Sequence, residues 1–242
     1  MTVQSKPVSK GPCPNCRASG KDRKGDNLIG YDDGHSYCYK CGFVETSNNS
    51  AKMSVRTQPA KGIEMTGTSV AIQDRNISQR IVEKFKVTMD GDKHYYPYND
   101  LTTGAVVGNK IRQVASKQFF SEGTFDNTGL FGQNVCREGG RYITVTEGEL
   151  DALAVSEMFD GKWPVVSLKR GAGSAVKDIK ESLEWLETFE NVVLCFDNDE
   201  AGLKATEAVL PLFSHNKAKV VTLPMKDAGD MLKARRVKDF TS

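Results

Sequence analysis

Four cysteines in the first 41 residues carry the plainest chemistry in this chain. Cys13-Pro-Asn-Cys16 and Cys38-Tyr-Lys-Cys41 are two C-x2-C knuckles separated by 21 residues. Each knuckle turns tightly enough to aim two thiolates at one ion, and two knuckles complete the closed sulfur shell of a single structural Zn²⁺. A closed shell leaves no open coordination position, so such an ion folds a small module rather than catalysing a reaction. A pair of disulfides is the alternative, favoured only in an exported protein. His35, between the knuckles, is not needed as a ligand.

The second chemically loaded group is acidic. Glu147 follows one apolar run, Asp197 and Asp199 a second, and Asp227 a third. Hard carboxylate oxygens without His or Cys favour Mg²⁺ or Mn²⁺, and two such ions ~3.5–4 Å apart suit phosphoryl chemistry. Taken singly, each acid could equally be a helix N-cap, and for Asp227 alone the cap is the better reading. Recurrence at one edge argues for metal. Lys169 and Arg170, beside Gly171-Ala-Gly173, could hold phosphates at the same edge. Lys110, Arg112 and Lys117, near Phe119 and Phe120, could follow a nucleic-acid backbone or hold a nucleotide, with solvated strand faces an equal alternative. Asp33, His35 and Tyr37, flanked by Tyr31 and Tyr39, offer the donors, acceptors and aromatic faces that read single-stranded bases. The tyrosines could instead only cover the small core. Gly104-Ala-Val-Val-Gly108-Asn109-Lys110 is not a phosphate loop, because the glycine spacing is short and no Ser or Thr follows the lysine.

These residues need elements to position them. The stretch 12–44 holds too little apolar surface to fold without a metal staple. Residues 46–62, with Ser-Asn-Asn-Ser and scattered Lys and Thr, read as a flexible linker. Ile77, Ile81 and Phe85 recur at helical spacing, and 93–120 reads as short β-rich runs at 94–96, 105–107 and 110–112 between turns. From Gly140, strands expected at 141–146, 164–168, 191–196 and 219–223 alternate with helical stripes at Leu150/Leu153/Ala154/Met158, Ile179/Leu183/Leu186 and 201–210. Four such units in series predict an α/β fold with an open parallel sheet covered by helices on both faces. The acids then leave at the carboxyl edge, where such folds bind ligands. The expected domains are 1–45 (zinc ribbon), 46–62 (linker), 63–139 (an α+β subdomain) and 140–242 (the parallel-sheet domain).

Composition sets the outer bounds. Of 242 residues, 33 are basic and 31 acidic, a net charge of +2, so any nucleic-acid contact must come from local patches. No apolar run approaches the ~18 residues of a membrane helix, and the first residues lack a signal-peptide core. With Cys136 and Cys195 isolated, the expected setting is a reducing cytoplasm without a membrane partner.

Thr146-Glu147-Gly148-Glu149-Leu150-Asp151, followed downstream by Phe196-Asp197-Asn198-Asp199-Glu200-Ala201-Gly202, resembles the TOPRIM signature shared by primases, topoisomerases and some nucleases. Asp33-Gly34-His35-Ser36-Tyr37-Cys38-Tyr39-Lys40-Cys41 is similar to the ribbon of phage primases that form the N-terminal half of bifunctional primase-helicases. The shared order of ribbon, linker, N-terminal subdomain and TOPRIM covers nearly the whole chain. That resemblance implies DNA-dependent synthesis of short RNA primers for lagging-strand replication. It implies Glu147, Asp197, Asp199 and Asp227 as catalytic acids, the first three holding Mg²⁺ or Mn²⁺, and Asp33 and His35 as template contacts, to which the aromatic reading above adds Tyr37. Lys110, Arg112 and Lys117 match the family's nucleotide-holding basic motif, which ends at Leu130-Phe131-Gly132. The chain departs from the pattern at Asp126-Asn127, where the family has a basic residue, and at Lys169-Arg170, a more basic loop than usual.

The partners so implied are single-stranded DNA, ribonucleoside triphosphates, a replicative helicase fused or separate, and a replicative DNA polymerase. The implied location is the cytoplasm, that of an infected host if the gene is a phage's. The sequence ends where a helicase half would begin, so it reads as a fragment or as a stand-alone primase. Two rivals remain: a non-catalytic recombination-mediator module, which also pairs four cysteines with TOPRIM but begins with a helical DNA-binding motif, and a TOPRIM nuclease. A type I topoisomerase would need a further domain with a nucleophilic tyrosine.

Overall fold

The computed structural model describes residues 6–18, 20–32, 34–38, 40–41, 43–46 and 62–241. The linker expected at 46–62 lies, but for its two ends, outside the described residues, and Asp33 and Tyr39 lie outside them too. The chain divides into two compact units, Met1–Pro59 and Ala60–Ser242.

The first unit is an antiparallel sheet in sequence order, β1 (Pro7–Gly11), β2 (Leu28–Tyr31), β3 (His35–Cys38) and β4 (Val44–Thr46), with one short helix α1 (Pro14–Ala18). Among the described residues its buried centre is Cys13, Cys16 and Cys38, with Leu28 and Phe43 packed against them. So small a core cannot offset the entropy of ordering the chain, which is why the sulfurs must do more than pack. Asp22, buried, organises the first knuckle by accepting from the Cys13 amide (2.7 Å) and the Asp26 amide (3.1 Å).

The second unit begins with α2 (Gln79–Lys84) and an antiparallel meander of β5 (Thr88–Asp90), β6 (Lys93–Asn99), β7 (Val106–Gln113) and β8 (Phe119–Gly123). The runs expected at 105–107 and 110–112 form one eight-residue strand. Gly108 and Asn109 stay in the ladder opposite Tyr98 and Pro97. The Thr124 carbonyl lies where a Cβ on Gly108 would sit, 2.5 Å away, so only glycine fits that point of the strand.

The rest of the unit is β9 (Gly140–Thr146), α3 (Glu149–Met158), β10 (Val165–Ser167), α4 (Ala175–Glu181), α5 (Leu183–Leu186), β11 (Phe189–Cys195), α6 (Glu200–Val209), β12 (Ala218–Val220), α7 (Ala228–Lys233) and α8 (Val237–Thr241). Its sheet is parallel with strand order β10-β9-β11-β12. Ile143, Val145, Val165, Val166, Val192 and Leu194 are all buried, the near-continuous apolar strands of a sheet covered on both faces. One core joins α2, α3 and α7 to Tyr96, Tyr98 and Phe131; the other joins Ile143, Val145 and Leu194 to residues of α4, α5 and α6. Each large apolar side chain so buried contributes about 1.5–3 kcal/mol.

Two expectations are adjusted in this half. The stripe Ile179/Leu183/Leu186 spans two helices broken at Ser182. The fourth strand is shorter than 219–223: Val221 still donates to the Leu194 carbonyl (3.0 Å), and Pro224, lacking an N–H, follows where the chain leaves the sheet. Finally, Leu130-Phe131-Gly132 links the two sheets. The Phe131 backbone pairs with Ser167 (3.0 and 3.1 Å), while its ring packs on Phe85, Tyr96 and Tyr98 with centroids 5.5, 5.8 and 6.0 Å away. Among the described residues, no helix is long and apolar enough to cross a membrane.

Candidate active site

The four ribbon sulfurs lie within 4.8 Å of one another, with Cys13 and Cys41 3.4 Å apart and Cys16 and Cys38 3.7 Å apart. A tetrahedron with 2.3 Å Zn–S bonds has an edge of about 3.8 Å. No two of the sulfurs are joined in a disulfide. Burial pushes the Cys16 thiol up to about 12, whereas at Cys38 the effect of burial is outweighed by the Cys41 and Lys40 amides, which bring it to about 7. The donor set thus fits zinc, and His35 stands outside it. The His35 ring stacks on Tyr31, with centroids 4.4 Å apart and planes 8° from parallel. Tyr37, half-buried, sits in β3 opposite Ile29 and Val44.

In the second unit the carboxyl ends of β9 and β11 deliver Glu147 and Asp197, while Asp199 and Asp227 sit at the starts of α6 and α7. The cap and metal readings of these acids are not exclusive, because a carboxylate has two oxygens. Asp199 Oδ1 accepts from the Ala201 and Gly202 amides (both 3.1 Å), and Asp227 Oδ1 accepts from the Asp230 amide (2.7 Å). Glycine at 202 is obligatory, since a Cβ there would lie 2.1 Å from the Asp197 carbonyl oxygen. That close approach sets the helix start directly against the acid.

The acids feel one another. Burial, then Glu147 and Asp227, raise Asp197 to about 6. Lys226 answers this charge, 3.9 Å from Asp197 Oδ2 and 3.7 Å from Asp199 Oδ2, and those acids hold its ammonium above the usual range. A fifth acid, Asp151, belongs to the cluster: burial, then Asp227 and Asp197, raise it to about 8, although it accepts from the Gly229 amide at 2.9 Å. Its position four residues after Glu147 on a helix opening at the same edge was the available signal. Glu147 Oε1 accepts from the Ala172 amide (3.2 Å), but Oε2 is buried with no hydrogen-bond partner. An orphaned carboxylate oxygen beside the raised Asp151 and Asp197 is the electrostatic form of a site that fits a hard cation. Among the described residues no three of these carboxylates close to within 4.8 Å, as the four thiols do. Mg²⁺ tolerates that, since it keeps several waters and often takes only one or two carboxylates plus substrate phosphates.

The basic residues sort into three situations. Lys110 is held by Glu149: its Nζ lies 2.9 and 3.0 Å from the two oxygens of that carboxylate, 3.4 Å from the Lys169 carbonyl and 5.0 Å from the centroid of the Phe119 ring. The Tyr98 hydroxyl donates to Glu149 at 2.7 Å, and burial, then Glu149, hold that phenol well above its ordinary range. Arg112 is buried in β7 opposite His94, whose pKa is lowered by burial and by that guanidinium, while Lys117 is exposed on the β7–β8 turn. Lys169 does not face solvent. It is 2 % exposed, and its Nζ donates to Glu181 (2.6 Å) and the Thr128 carbonyl (3.0 Å). Arg170 is half-exposed, 3.6 Å from Asp178. Where the family pattern is basic, Asn127 instead donates to Asp100 (2.9 Å) and shapes a turn.

Residues 144–232 match the Toprim-like family. The chain is 33% identical over 234 residues to the DNA helicase/primase of Enterobacteria phage T3, covering 90% of this chain and 40% of that relative's length. It superposes on the crystal structure of the primase fragment of the bacteriophage T7 primase-helicase with a TM-score of 0.68 and 30% identity, covering 98% of both chains. A second solved structure is the complex of T7 lagging-strand DNA polymerase with the primase domains of two gp4 subunits bound to an RNA/DNA hybrid and dTTP. A chain of it matches with a TM-score of 0.66 and 34% identity over 72% of this chain and 90% of that one. At that identity and coverage, the chain belongs to the phage primases of the primase-helicase type.

Proposed function

We propose that this chain copies single-stranded DNA into short RNA primers for lagging-strand replication, by metal-dependent ribonucleotidyl transfer. The observation that carries this reading is the orphaned Glu147 Oε2, set among Asp151, Asp197, Asp199 and Asp227 at the carboxyl edge of the parallel sheet. Glu147, Asp197 and Asp199 would hold Mg²⁺ or Mn²⁺, with Asp227 and Asp151 completing the acidic rim. Bound there, the ion supplies electrostatic stabilisation of the reacting phosphate and of the pyrophosphate leaving group. The protein's own part is positional. Lys110, steered by Glu149 and Tyr98, offers its ammonium to a triphosphate beside the acids, with Arg112, Lys117 and Arg170 in support. Lys169 acts from beneath, holding the loop rather than the nucleotide. Until a cation arrives, Lys226 compensates Asp197 and Asp199.

The first unit serves template choice: Cys13, Cys16, Cys38 and Cys41 would hold one Zn²⁺, and Asp33, the stacked Tyr31–His35 pair and Tyr37 would meet the bases. Stacking of this kind contributes about 1–3 kcal/mol per base. A replicative helicase, a replicative DNA polymerase and a cytoplasmic setting belong to the same proposal.

The test is incubation of the purified chain with single-stranded DNA of varied sequence, labelled ribonucleotides and Mg²⁺, with products resolved by size. Short template-dependent oligoribonucleotides that vanish with chelator are expected. DNA binding without synthesis, even with a helicase supplied, would move the reading to a mediator module, and template degradation would move it to a nuclease.

A further inference from the structure

The basic pair Lys169-Arg170 finds its partners on α4. Asp178 is fully buried, and its Oδ2 accepts from both the Lys169 amide (2.8 Å) and the Arg170 amide (3.1 Å). Its other oxygen lies 3.6 Å from the Arg170 guanidinium and makes no hydrogen bond. Three residues further along the helix, Glu181 takes the buried Lys169 ammonium at 2.6 Å. Residues three apart on a helix share a face, so Asp178 and Glu181 grip the same loop from the same side. From the other side, Lys110 donates to the Lys169 carbonyl at 3.4 Å.

Two residues beyond Arg170, the Ala172 amide donates to Glu147 Oε1 at 3.2 Å, and a Cβ on the intervening Gly171 would come within 3.6 Å of that same oxygen. The amide holds one carboxylate oxygen and leaves Oε2 as the bare one. We infer that Asp178 is a positioning residue for the metal site: by fixing the Lys169-Arg170 backbone it places the Ala172 amide, which orients the Glu147 carboxylate with Oε2 turned to the cation. Partners one step behind a ligand typically set 10- to 100-fold in metal affinity. Asp178 is 31 residues from Glu147 in sequence and follows no acidic motif. It is therefore visible only through the loop.

This inference rests on Glu147 being a metal ligand, so its test reads metal binding separately from synthesis. Mn²⁺ is titrated into the zinc-loaded chain, and the free ion is followed by its electron paramagnetic resonance signal. The unsubstituted chain should bind Mn²⁺ at a site lost in Asp197→Asn/Asp199→Asn. Asp178→Ala should weaken that site about 10-fold. Asp178→Asn should restore most of it, because its amide oxygen still accepts both N–H groups. Ala172→Pro, which deletes the donor but leaves the buried Asp178 in place, should match Asp178→Ala, and the combined variant should be no weaker than either alone. In priming assays the Mg²⁺ half-saturation should rise by the same factor, with KM for template unchanged. If Asp178→Ala does not fold, Ala172→Pro decides alone. Native Mn²⁺ affinity in Ala172→Pro, or in folded Asp178→Ala, would overturn the positioning role while leaving the metal site intact. A native chain with no acid-dependent Mn²⁺ site would overturn both.

Discussion

The two ion sites proposed for this protein are built on opposite principles. In the first unit four thiols from two knuckles converge within 4.8 Å, and three of them, Cys13, Cys16 and Cys38, are themselves the buried core while Cys41 stays exposed. In the second, five carboxylates arrive from β9, β11 and the starts of α3, α6 and α7, yet among the described residues no three of them converge so tightly. Soft thiolates can share one small ion completely and gain folding free energy from it. Burial first, and then the neighbouring carboxylates, raise Asp151 and Asp197, so the charged acids are uncompensated as they stand. A site left open in this way can accept a cation together with its substrate phosphates, which a closed shell cannot.

The largest expected effect is on the open site. Asp197→Asn with Asp199→Asn should lower primer formation by at least ~10³-fold, while the melting temperature holds or rises because two repelling charges are gone. Both changes keep a side-chain oxygen, so the α6 cap survives. Retained synthesis in that variant would remove the distinction between the two sites. Next comes the closed site. Cys38→Ser should release the zinc, read as metal content falling from one per chain to none, and template-sequence preference should go with it. Synthesis on an unselective template would persist at a reduced level, since the second unit has its own core.

The difference also explains what could be read in the sequence. The knuckles were fully legible, because a C-x2-C turn is local and its ligands are fixed by spacing. The sheet was legible for a related reason: buried parallel strands are apolar runs, and their alternation with helices dictates which edge the acids leave from. Lys169 was not. A lysine beside Gly171-Ala-Gly173 reads as a phosphate ligand until the helix that pairs with it is in place, and Glu181 and Thr128 come from separate elements. Asp151, four residues after Glu147 on the helix that follows, was within reach of spacing. Asp178 was hidden, because its role rests on contacts with the 169–170 backbone that no local spacing encodes. Tertiary neighbours, rather than residue type, decided the roles of Lys169 and Asp178.

Lys110 sharpens the comparison, since it is proposed to serve the open site yet is held by a buried ion pair. Glu149 is 3 % exposed, so Lys110→Ala leaves a buried carboxylate with only Tyr98 and should cost about 3 kcal/mol of stability as well as raising KM for nucleotides. Lys110→Ala with Glu149→Gln removes both charges and should recover most of that stability. Nucleotide affinity should stay low, because the ammonium is still missing. Recovery of both together would mean that Lys110 only supports the fold.

The smallest effect is a pH dependence of the chain without added Mg²⁺. Asp197 and Asp151 are raised to about 6 and about 8, above their values in the unfolded chain. The folded form therefore holds protons that the unfolded form has released, so the stability linked to these groups is fully present below about pH 4 and is lost as pH rises through 6 and then 8. Asp151→Asn removes the later part of that loss while its amide oxygen can still accept from Gly229. Its melting temperature should match the unsubstituted chain near pH 4.5 and exceed it near pH 8.5 by ~2–4 °C, the shift of about 1 kcal/mol in a chain of this length. Saturating Mg²⁺ at pH 8.5 should shrink the gap, because a bound cation does for the unsubstituted carboxylates what amidation does for one of them. The zinc unit, whose charges are already compensated, should show no such response, and a Mg²⁺-dependent shift confined to it would reverse the assignment of the two sites.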